Sequence, residues 1–236
     1  MDIDQYSTEH PNRDVQEKIL DDELLTLFRN KPLNILEIGC GDGGLALAVL
    51  KKFNFVKSYY AYDISQIRLD RLNNTGESYV QSGQLITISN LSEINFENFP
   101  GFDLIVSEQV IEHVVDELAF LKDIYGVSTG KSIVYLSTVF ITLPGYYFYK
   151  NDAGERVLDP THIREYRDKE LLEKIRGLGF MVIAESRNKI YYPLSSFLSK
   201  ILIKFLKFNY RTSSKWWIRL PGYYNWRIIL KKHDKV

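Results

Sequence analysis

The segment ILEIGCGDGG, residues 35–44, constrains the fold more than any other part of the chain. A short apolar run, typical of a buried strand, leads directly into a loop with glycines at positions 39, 41, 43 and 44. Glycine lets the backbone turn tightly there and approach a ligand without a Cβ in the way. The helix predicted to begin near Gly43 points its first N–H groups at the same place. The segment therefore predicts a strand, a ligand-binding loop and a helix.

The glycines satisfy two cofactor patterns: the G-x-G-x-x-G of dinucleotide sites at 39, 41 and 44, and the G-x-G-x-G of S-adenosylmethionine sites at 39, 41 and 43. Asp63, in the segment AYDIS after the second predicted strand, suits the ribose hydroxyls of either cofactor. Glu37 separates the two patterns. A carboxylate beside the loop would repel a pyrophosphate, whereas it would attract the ammonium and sulfonium of S-adenosylmethionine. Asp42 adds to the same charge.

Strand-like and helix-like segments alternate along the chain. The predicted strands are 33–38, 56–62, 84–89, 102–107, 131–139, 179–185 and 224–231, and the predicted helices are 14–29, 43–53, 65–73, 114–125 and 168–177. This alternation is typical of an α/β fold whose parallel sheet is wound with crossover helices. Near-continuous apolar strands such as FDLIV indicate a sheet that is covered on both faces.

Length and composition favour one domain over residues 1–236, with an N-terminal helical segment at 1–30. With 45% hydrophobic and 25% charged residues, a chain of 236 residues can bury a full core. The start, MDIDQYSTEH, lacks the pattern of a signal peptide. The single cysteine, Cys40, excludes an internal disulfide and a cysteine-cluster zinc site, and it fits a reducing compartment. We therefore expect a cytoplasmic protein.

Four segments, in order, resemble the class I S-adenosylmethionine-dependent methyltransferases, in the branch of the ubiquinone-type and other small-molecule enzymes. These segments are ILEIGCGDGG, YDIS, FDLIVSEQVIEHV and THIREYRDKELLEKIRGLGF. The resemblance runs from about residue 33 to about residue 185. It implies a Rossmann-like sheet of seven mostly parallel strands with helices on both faces. The last strand, here NWRIILKK, would be antiparallel and would form a hairpin with the sixth.

The resemblance also implies roles for individual residues around S-adenosylmethionine. Gly39, Gly41 and Gly43 would line the methionine part, with Glu37 near its amino group. Asp63 would hold the ribose hydroxyls, and Ile64 would pack on the adenine. The remaining expected cofactor contacts are Asn90 and Leu91 after the third strand and Ser107 and Glu108 after the fourth. Relatives often have an acid where Asn90 stands, which contacts the adenine amino group. The amide oxygen of Asn90 can also accept a hydrogen bond from that group.

A hydroxyl acceptor must lose its proton, and a positioned histidine is the usual means. His162, in DPTHIREY, is the first candidate for this base, and His113, in EQVIEHV, is the second. Each has a structural alternative: His162 would brace its loop, and His113 would pack and cap the following helix. His10 and His233 lie near the termini. No spacing of histidines and acids indicates a tightly held metal.

Four further residues are candidates for binding the acceptor: Arg164, Tyr166, Tyr146 and Tyr147. Arg164 and Tyr166 would otherwise anchor the helix at 168–177, and the two loop tyrosines would otherwise be ordinary packing. The acceptor itself is expected to be a small molecule, a glycan or a lipid-linked molecule.

Charge divides the chain sharply. Residues 1–186 carry 18 Lys and Arg against 29 Asp and Glu, whereas residues 187–236 carry 12 against 1. Relatives join their last two strands by a short turn, but here we expect a basic amphipathic insertion at 188–223. Its segment 194–208 has apolar residues at helical spacing, with Lys200, Lys204 and Lys207 off the apolar stripe.

The insertion leaves three alternatives open. Such a helix packs on its own protein as a lid or dimer contact, or it makes a peripheral membrane contact through 194–219, where tryptophans and basic residues follow. Nucleic acid ranks last, because the stripe is apolar and the acidic part of the chain would repel phosphate. The oligomeric state is not indicated by the sequence.

Several function classes remain open at this point. The first is a methyltransferase acting on oxygen, with a histidine base. The others are a catalytically silent cofactor-binding or regulatory protein on the same scaffold, an RNA-directed methyltransferase, and the dehydrogenase implied by the dinucleotide pattern. The intact glycine loop and Asp63 favour the enzyme.

Overall fold

The computed structural model describes residues 7–8, 24, 28, 31–97, 99–142, 149–150, 154, 156–157, 161–167, 169–193 and 217–233. The predicted N-terminal helical segment, Tyr146 and Tyr147, and the predicted helix at 194–208 therefore lie wholly or largely outside the described residues. Within the described residues, no helix is both long enough and apolar enough to cross a membrane.

Nine strands are described: β1 (Leu33–Ile38), β2 (Val56–Tyr62), β3 (Leu85–Ile88), β4 (Leu104–Glu108), β5 (Ile133–Ile141), β6 (Tyr149–Lys150), β7 (Arg156–Val157), β8 (Phe180–Pro193) and β9 (Trp217–Lys232). Seven of them form one sheet in the order β3-β2-β1-β4-β5-β9-β8, while β6 and β7 pair separately as a short antiparallel ladder. β1 runs parallel to both β2 and β4, β2 runs parallel to β3, and the last strands are antiparallel. The predicted fold class is therefore confirmed.

Five α-helices have both ends within the described residues: α1 (Gly44–Lys52), α2 (Gln66–Thr75), α3 (Glu77–Gln81), α4 (Glu117–Val127) and α5 (Glu170–Gly177). Two single-turn 3₁₀ helices, Leu91–Glu93 and Ile111–His113, follow β3 and β4 respectively. Four of the α-helices correspond to the predicted helices at 43–53, 65–73, 114–125 and 168–177, and α3 is additional. The predicted helix at 14–29 lies almost wholly outside the described residues.

The last two strands of the sheet are longer than the sequence indicates. We predicted strands at 179–185 and 224–231, but β8 continues to Pro193 and β9 begins at Trp217. Both ends of the predicted 188–223 insertion therefore belong to strands. The added segments are rich in aromatic and β-branched residues, which favour extended structure once they pair.

Contacts divide the chain into two compact units. The first comprises Met1–Glu108, Asp123–Tyr135 and Leu230–Val236, and the second comprises Gln109–Lys122 and Leu136–Ile229. In the first unit, all six residues of β1 are buried, as expected for a strand covered on both faces. In the second unit, the core contains Trp226, against which the rings of Phe140 and Tyr166 pack with centroids 5.0 and 6.3 Å away.

Candidate functional site

The glycine loop of the first unit needs glycine for its conformation. Gly39, Gly41 and Gly43 have φ values of 80°, 56° and 80°, in the left-handed region that other residues rarely adopt. The loop is held against the end of β2, because the N–H groups of Gly39 and Cys40 donate to the carbonyl of Tyr62 at 2.8 and 3.0 Å. α1 begins directly after Gly43, so the loop leads straight into the helix N-terminus.

Asp63 lies at the carboxyl end of β2 and binds this loop. Its Oδ2 accepts a hydrogen bond from the N–H of Gly41 at 2.8 Å, and its Oδ1 accepts one from the N–H of Ser65 at 2.9 Å. Each carboxylate oxygen has a second lone pair, so both can also accept from ribose hydroxyls. The neighbouring Ile64 is 62% exposed, which leaves an apolar side chain ready to cover a flat ring.

Glu37 is only 4% exposed, and the hydroxyl of Tyr59 donates to its Oε2 at 2.7 Å. Burial, and then the charge of Glu37, raise the pKa of Tyr59 well above its ordinary value. The carboxylate therefore supplies negative charge from inside the core below the loop. Its predicted contact with the amino group of a cofactor stays a prediction.

Asn90 has a local role that the sequence analysis missed. Its side chain accepts from the N–H of Ser92 at 2.9 Å, and Glu93 accepts from the N–H of Asn90 at 2.7 Å. This reciprocal pair is a capping box, and the spacing N-x-x-E is the signal that would have found it. Leu91 is half-buried beside it. The predicted adenine contact of Asn90 would have to share an oxygen that already caps a helix.

At the end of β4, Ser107 is fully buried and Glu108 is half-buried. Among the described residues, the hydroxyl of Ser107 has no hydrogen-bond partner. Buried polar groups without a hydrogen-bond partner are uncommon in folded proteins.

A contact from the N-terminal segment was also missed. Arg71 on α2 donates to the carbonyl of Ser7 at 2.9 Å, and Arg68 donates to the Ser7 hydroxyl at 3.2 Å. Arg71 also pairs with Asp42 of the glycine loop at 3.4 Å. Ser7 is 1% exposed, so this part of the N-terminal segment is tied to the helix that follows Asp63.

The second unit brings the two predicted histidines together. The rings of His113 and His162 meet edge to face, with centroids 4.9 Å apart. The Nδ1 of His113 lies 3.0 Å from the carbonyl oxygen of Thr161, and the Nδ1 of His162 lies 3.4 Å from Oε1 of Glu165. Both partners are acceptors, so each Nδ1 is placed to carry a proton.

Glu112 fixes the distance between the histidines. Its backbone carbonyl accepts from the N–H groups of Ile163 and Arg164 at 2.9 and 3.2 Å, which docks the His162 loop beside His113. Its side chain is fully buried and accepts from the hydroxyl of Thr138 at 3.0 Å. The amide of Gln109, oriented to satisfy its neighbours, donates to the other carboxylate oxygen at 3.1 Å.

Gln109 stands at an uncommon backbone position. Its φ of 56° is the only positive value of a non-glycine residue in the described part of the chain. Such conformations cost free energy and collect at functional sites. Here the turn at Gln109 directs the chain from β4 into the helical turn that carries Glu112 and His113.

The sequence indicated no metal set, but the structure brings three candidate donors together. One ligand atom each from Glu112, His113 and His162 all lie within 4.8 Å of one another. Glu112 and His113 are consecutive, but His162 is far along the chain from them, so no local spacing could have shown the cluster.

Arg164 and Tyr166 make the contacts of anchoring residues. Arg164 donates to Oε2 of Glu117 at 2.9 Å and to the carbonyl of Val115 at 2.7 Å. Lys174 of α5 donates to the same Glu117 oxygen at 3.2 Å. Burial, and then the charge of Glu117, raise the pKa of Tyr166. These contacts support the structural alternative, although both residues line a cavity of about 780 Å³ within this unit.

Comparison with known proteins gives a family match. The family model described as "Methyltransferase domain" matches residues 12–185. Ajmaline N-methyltransferase of Rauvolfia serpentina is 27% identical over 110 residues, which cover 46% of this chain and 37% of that protein. The mitochondrial ubiquinone biosynthesis O-methyltransferase of Homo sapiens is 24% identical over 203 residues, which cover 81% of this chain and 55% of that protein. The chain thus spans about half the length, or less, of these curated relatives.

Among solved structures, the BH2331 protein of Bacillus halodurans C-125 superposes with a TM-score of 0.62 at 16% identity, over 91% of this chain and 99% of that one. At this identity the similarity concerns the fold.

Proposed function

Since the chain belongs to the S-adenosylmethionine-dependent methyltransferases, we propose that it binds this cofactor with the glycine loop and Asp63 and transfers its methyl group to a hydroxyl oxygen. The observation that carries the proposal is the Asp63 carboxylate, whose two oxygens are held by the N–H groups of Gly41 and Ser65. This arrangement orients both oxygens before a ligand arrives, so little ordering is left for binding to do.

The cofactor residues supply complementary charge and shape. Glu37, Asp42 and Asp63 place acidic groups around the loop, which suits a ligand that carries an ammonium and a sulfonium. The positive φ values of Gly39, Gly41 and Gly43 let the loop turn tightly between β1 and α1. Ser107 and Glu108 complete the proposed set at the end of β4.

We assign His162 as the base. Its Nδ1 faces Glu165, whose side chain is 3% exposed, so Nε2 is the nitrogen that carries the lone pair when the imidazole is neutral. In the transfer, the acceptor oxygen attacks the sulfonium methyl, the carbon–sulfur bond breaks, and the hydroxyl proton passes to Nε2. The products are the methyl ether and S-adenosylhomocysteine.

The acceptor class is inferred from the chemistry of the proposed base and from the charge of the chain. Curated relatives methylate nitrogen in one case and oxygen in another, according to their names. We propose an oxygen acceptor because a hydroxyl is a weak nucleophile until it loses its proton. A neutral, buried imidazole can remove that proton. From the basic charge of residues 187–236 we also propose that the acceptor is a glycan or a lipid-linked molecule. The same charge supports peripheral membrane contact of a cytoplasmic protein through 194–219.

Calorimetry tests the cofactor directly. S-adenosylmethionine and S-adenosylhomocysteine should bind with one-to-one stoichiometry, and nicotinamide dinucleotides should not bind. Binding of the dinucleotide alone would overturn the proposal. Transfer of labelled methyl from S-adenosylmethionine to extracted small molecules, glycans and lipids would then identify the acceptor fraction.

Vesicle sedimentation tests the membrane contact separately. Anionic vesicles should bind the protein at low salt and release it at high salt, because each basic residue near the surface contributes about 1 kcal/mol. Charge reversal at Lys200, Lys204 and Lys207 should abolish the binding.

A further inference from the structure

We propose that Glu112, His113 and His162 form a binding site for a divalent transition metal ion of the Zn²⁺ type. The three ligand atoms lie within 4.8 Å of one another, and they come from the turn after β4 and from the loop before α5. Two imidazoles and one carboxylate are a donor set that such ions favour over Mg²⁺ or Ca²⁺, which prefer oxygen ligands.

The hydrogen bonds of the two imidazoles point to the same conclusion. A carbonyl oxygen at 3.0 Å holds the Nδ1 of His113, and a carboxylate oxygen at 3.4 Å faces the Nδ1 of His162. Neither partner can donate, so a neutral ring in either place carries its hydrogen on Nδ1 and its lone pair on Nε2. Metal-binding histidines typically have such a carbonyl or carboxylate partner behind the ligating ring.

The charges near the cluster favour a cation. Glu112 is fully buried, and its carboxylate accepts hydrogen bonds from Thr138 and Gln109. The Glu165 side chain is 3% exposed and lies behind His162. Two buried carboxylates beside the two imidazoles place negative charge where water screens it weakly. A dication among the three donors would neutralise this charge.

The geometry needs only modest closure. Bonds of ~2.0–2.1 Å in a tetrahedral site place neighbouring ligand atoms about 3.3 Å apart. Rotation of the imidazoles about their side-chain torsions could bring the three atoms to that separation, whereas the backbone is already fixed by the bonds from Ile163 and Arg164 to the Glu112 carbonyl. The fourth position would be left to water or to a ligand oxygen.

The site and the proposed function use one atom in common, and this consequence rests on the proposed function. Nε2 of His162 cannot bind a metal and accept a proton at the same time. We therefore expect Zn²⁺ to suppress methyl transfer while leaving S-adenosylhomocysteine binding unchanged.

Binding can be measured without any activity. Protein stripped with chelator should take up one equivalent of Co²⁺ and give the visible absorption of a tetrahedral Co²⁺ site, and Zn²⁺ should displace it. His113→Ala, His162→Ala and Glu112→Gln should each weaken Zn²⁺ binding more than about 100-fold, since loss of an outer partner alone typically costs 10–100-fold. Glu165→Gln should fall in that smaller range.

His233→Ala is the matched control, because this exposed histidine lies after β9, outside the cluster. It should bind Co²⁺ like the unmodified protein, and circular dichroism should show that all variants are folded. If stripped, folded protein takes up no stoichiometric Co²⁺ or Zn²⁺, or if His162→Ala binds as tightly as the unmodified protein, the site does not exist.

The outcomes separate this inference from the proposed function. If the protein binds the cofactor but no metal, the metal site is contradicted and the proposed function stands. If it binds the metal but not the cofactor, the metal site stands and the proposed function is contradicted. If Zn²⁺ binds and stimulates transfer, the metal site stands and His162 is a ligand, not the base.

Discussion

The backbone N–H of Gly41 donates to the carboxylate of Asp63 at 2.8 Å, which joins the glycine loop after β1 to the end of β2. Asp63 is also the residue that we assign to the ribose hydroxyls. The conformation of the loop and the affinity for the cofactor should therefore depend on the same side chain.

Asp63→Ala should weaken binding of S-adenosylhomocysteine by about 1.5–3 kcal/mol, the range of hydrogen bonds to a charged group. Titration calorimetry measures the change. Asp70→Ala is the control, because Asp70 is exposed on α2 and bonds only to Gln66 among the contacts described. Equal affinities of Asp63→Ala and the unmodified protein would contradict the assignment.

Gly43→Ala should destabilise the protein through a steric clash as well as backbone strain. A Cβ at Gly43 would lie 2.1 Å from Cδ1 of Leu72, which is fully buried. Gly83 also has a positive φ, of 72°, but a Cβ there would meet nothing within 4 Å. Gly83→Ala should thus cost about 1–2 kcal/mol of backbone strain alone, and Gly43→Ala should cost more. Urea unfolding compares the two, and a smaller loss for Gly43→Ala would show that Leu72 moves aside.

Stability should fall as the pH rises above about 9. Burial raises the pKa of Cys40 and of Tyr59 in the folded protein. The unfolded chain therefore loses these protons first, near ~8.5 and ~10, and each such group lowers the unfolding free energy by up to about 1.4 kcal/mol per pH unit until its folded pKa is reached.

Tyr59→Phe isolates one of these groups. It should cost about 1–3 kcal/mol at neutral pH, because Glu37 loses a buried hydrogen bond. Its stability should then decline less steeply between about pH 10 and 11 than that of the unmodified protein. Urea unfolding at several pH values measures the loss of stability at neutral pH and the slope of stability against pH. If the two proteins lose stability equally between about pH 10 and 11, the raised pKa of Tyr59 is contradicted.

His162→Ala should lower turnover by roughly 10²–10⁴-fold, the usual contribution of a general base, with little change in S-adenosylhomocysteine affinity. Glu165→Gln should lower turnover less, because the imidazole keeps a hydrogen-bond acceptor. Single-turnover assays in chelator and calorimetry separate the two effects. Unmodified rates from His162→Ala across about pH 6–9 would make the residue structural and His113 the next candidate.

The parallel half of the sheet and the cofactor loop could be predicted from the sequence because their signals are local. The apolar run before Gly39 forms a fully buried strand, and Asp63 follows the next strand in the expected place. The full lengths of β8 and β9 could not be predicted. Their outer parts mix basic and aromatic residues, and only pairing between distant strands makes such segments extended.

The histidine cluster shows a second limit. Each histidine could be singled out from its motif, but their contact depends on two backbone hydrogen bonds to the carbonyl of Glu112. A carbonyl oxygen is common to all residues, so the sequence carries no sign of this docking. The capping box of Asn90, in contrast, involves only four consecutive residues, so the sequence pattern alone could have predicted it.

Cys40 gives the glycine loop a reporter of its own. It is the only cysteine of the chain, it is 6% exposed, and its raised pKa disfavours the reactive thiolate. A thiol reagent should therefore react only in the moments when the loop opens. The rate at which Cys40 is labelled in the folded protein therefore reports how often the loop opens. Mass spectrometry measures this rate without an engineered probe. A cofactor that binds to the loop should lower the labelling rate in proportion to the fraction of protein that is bound.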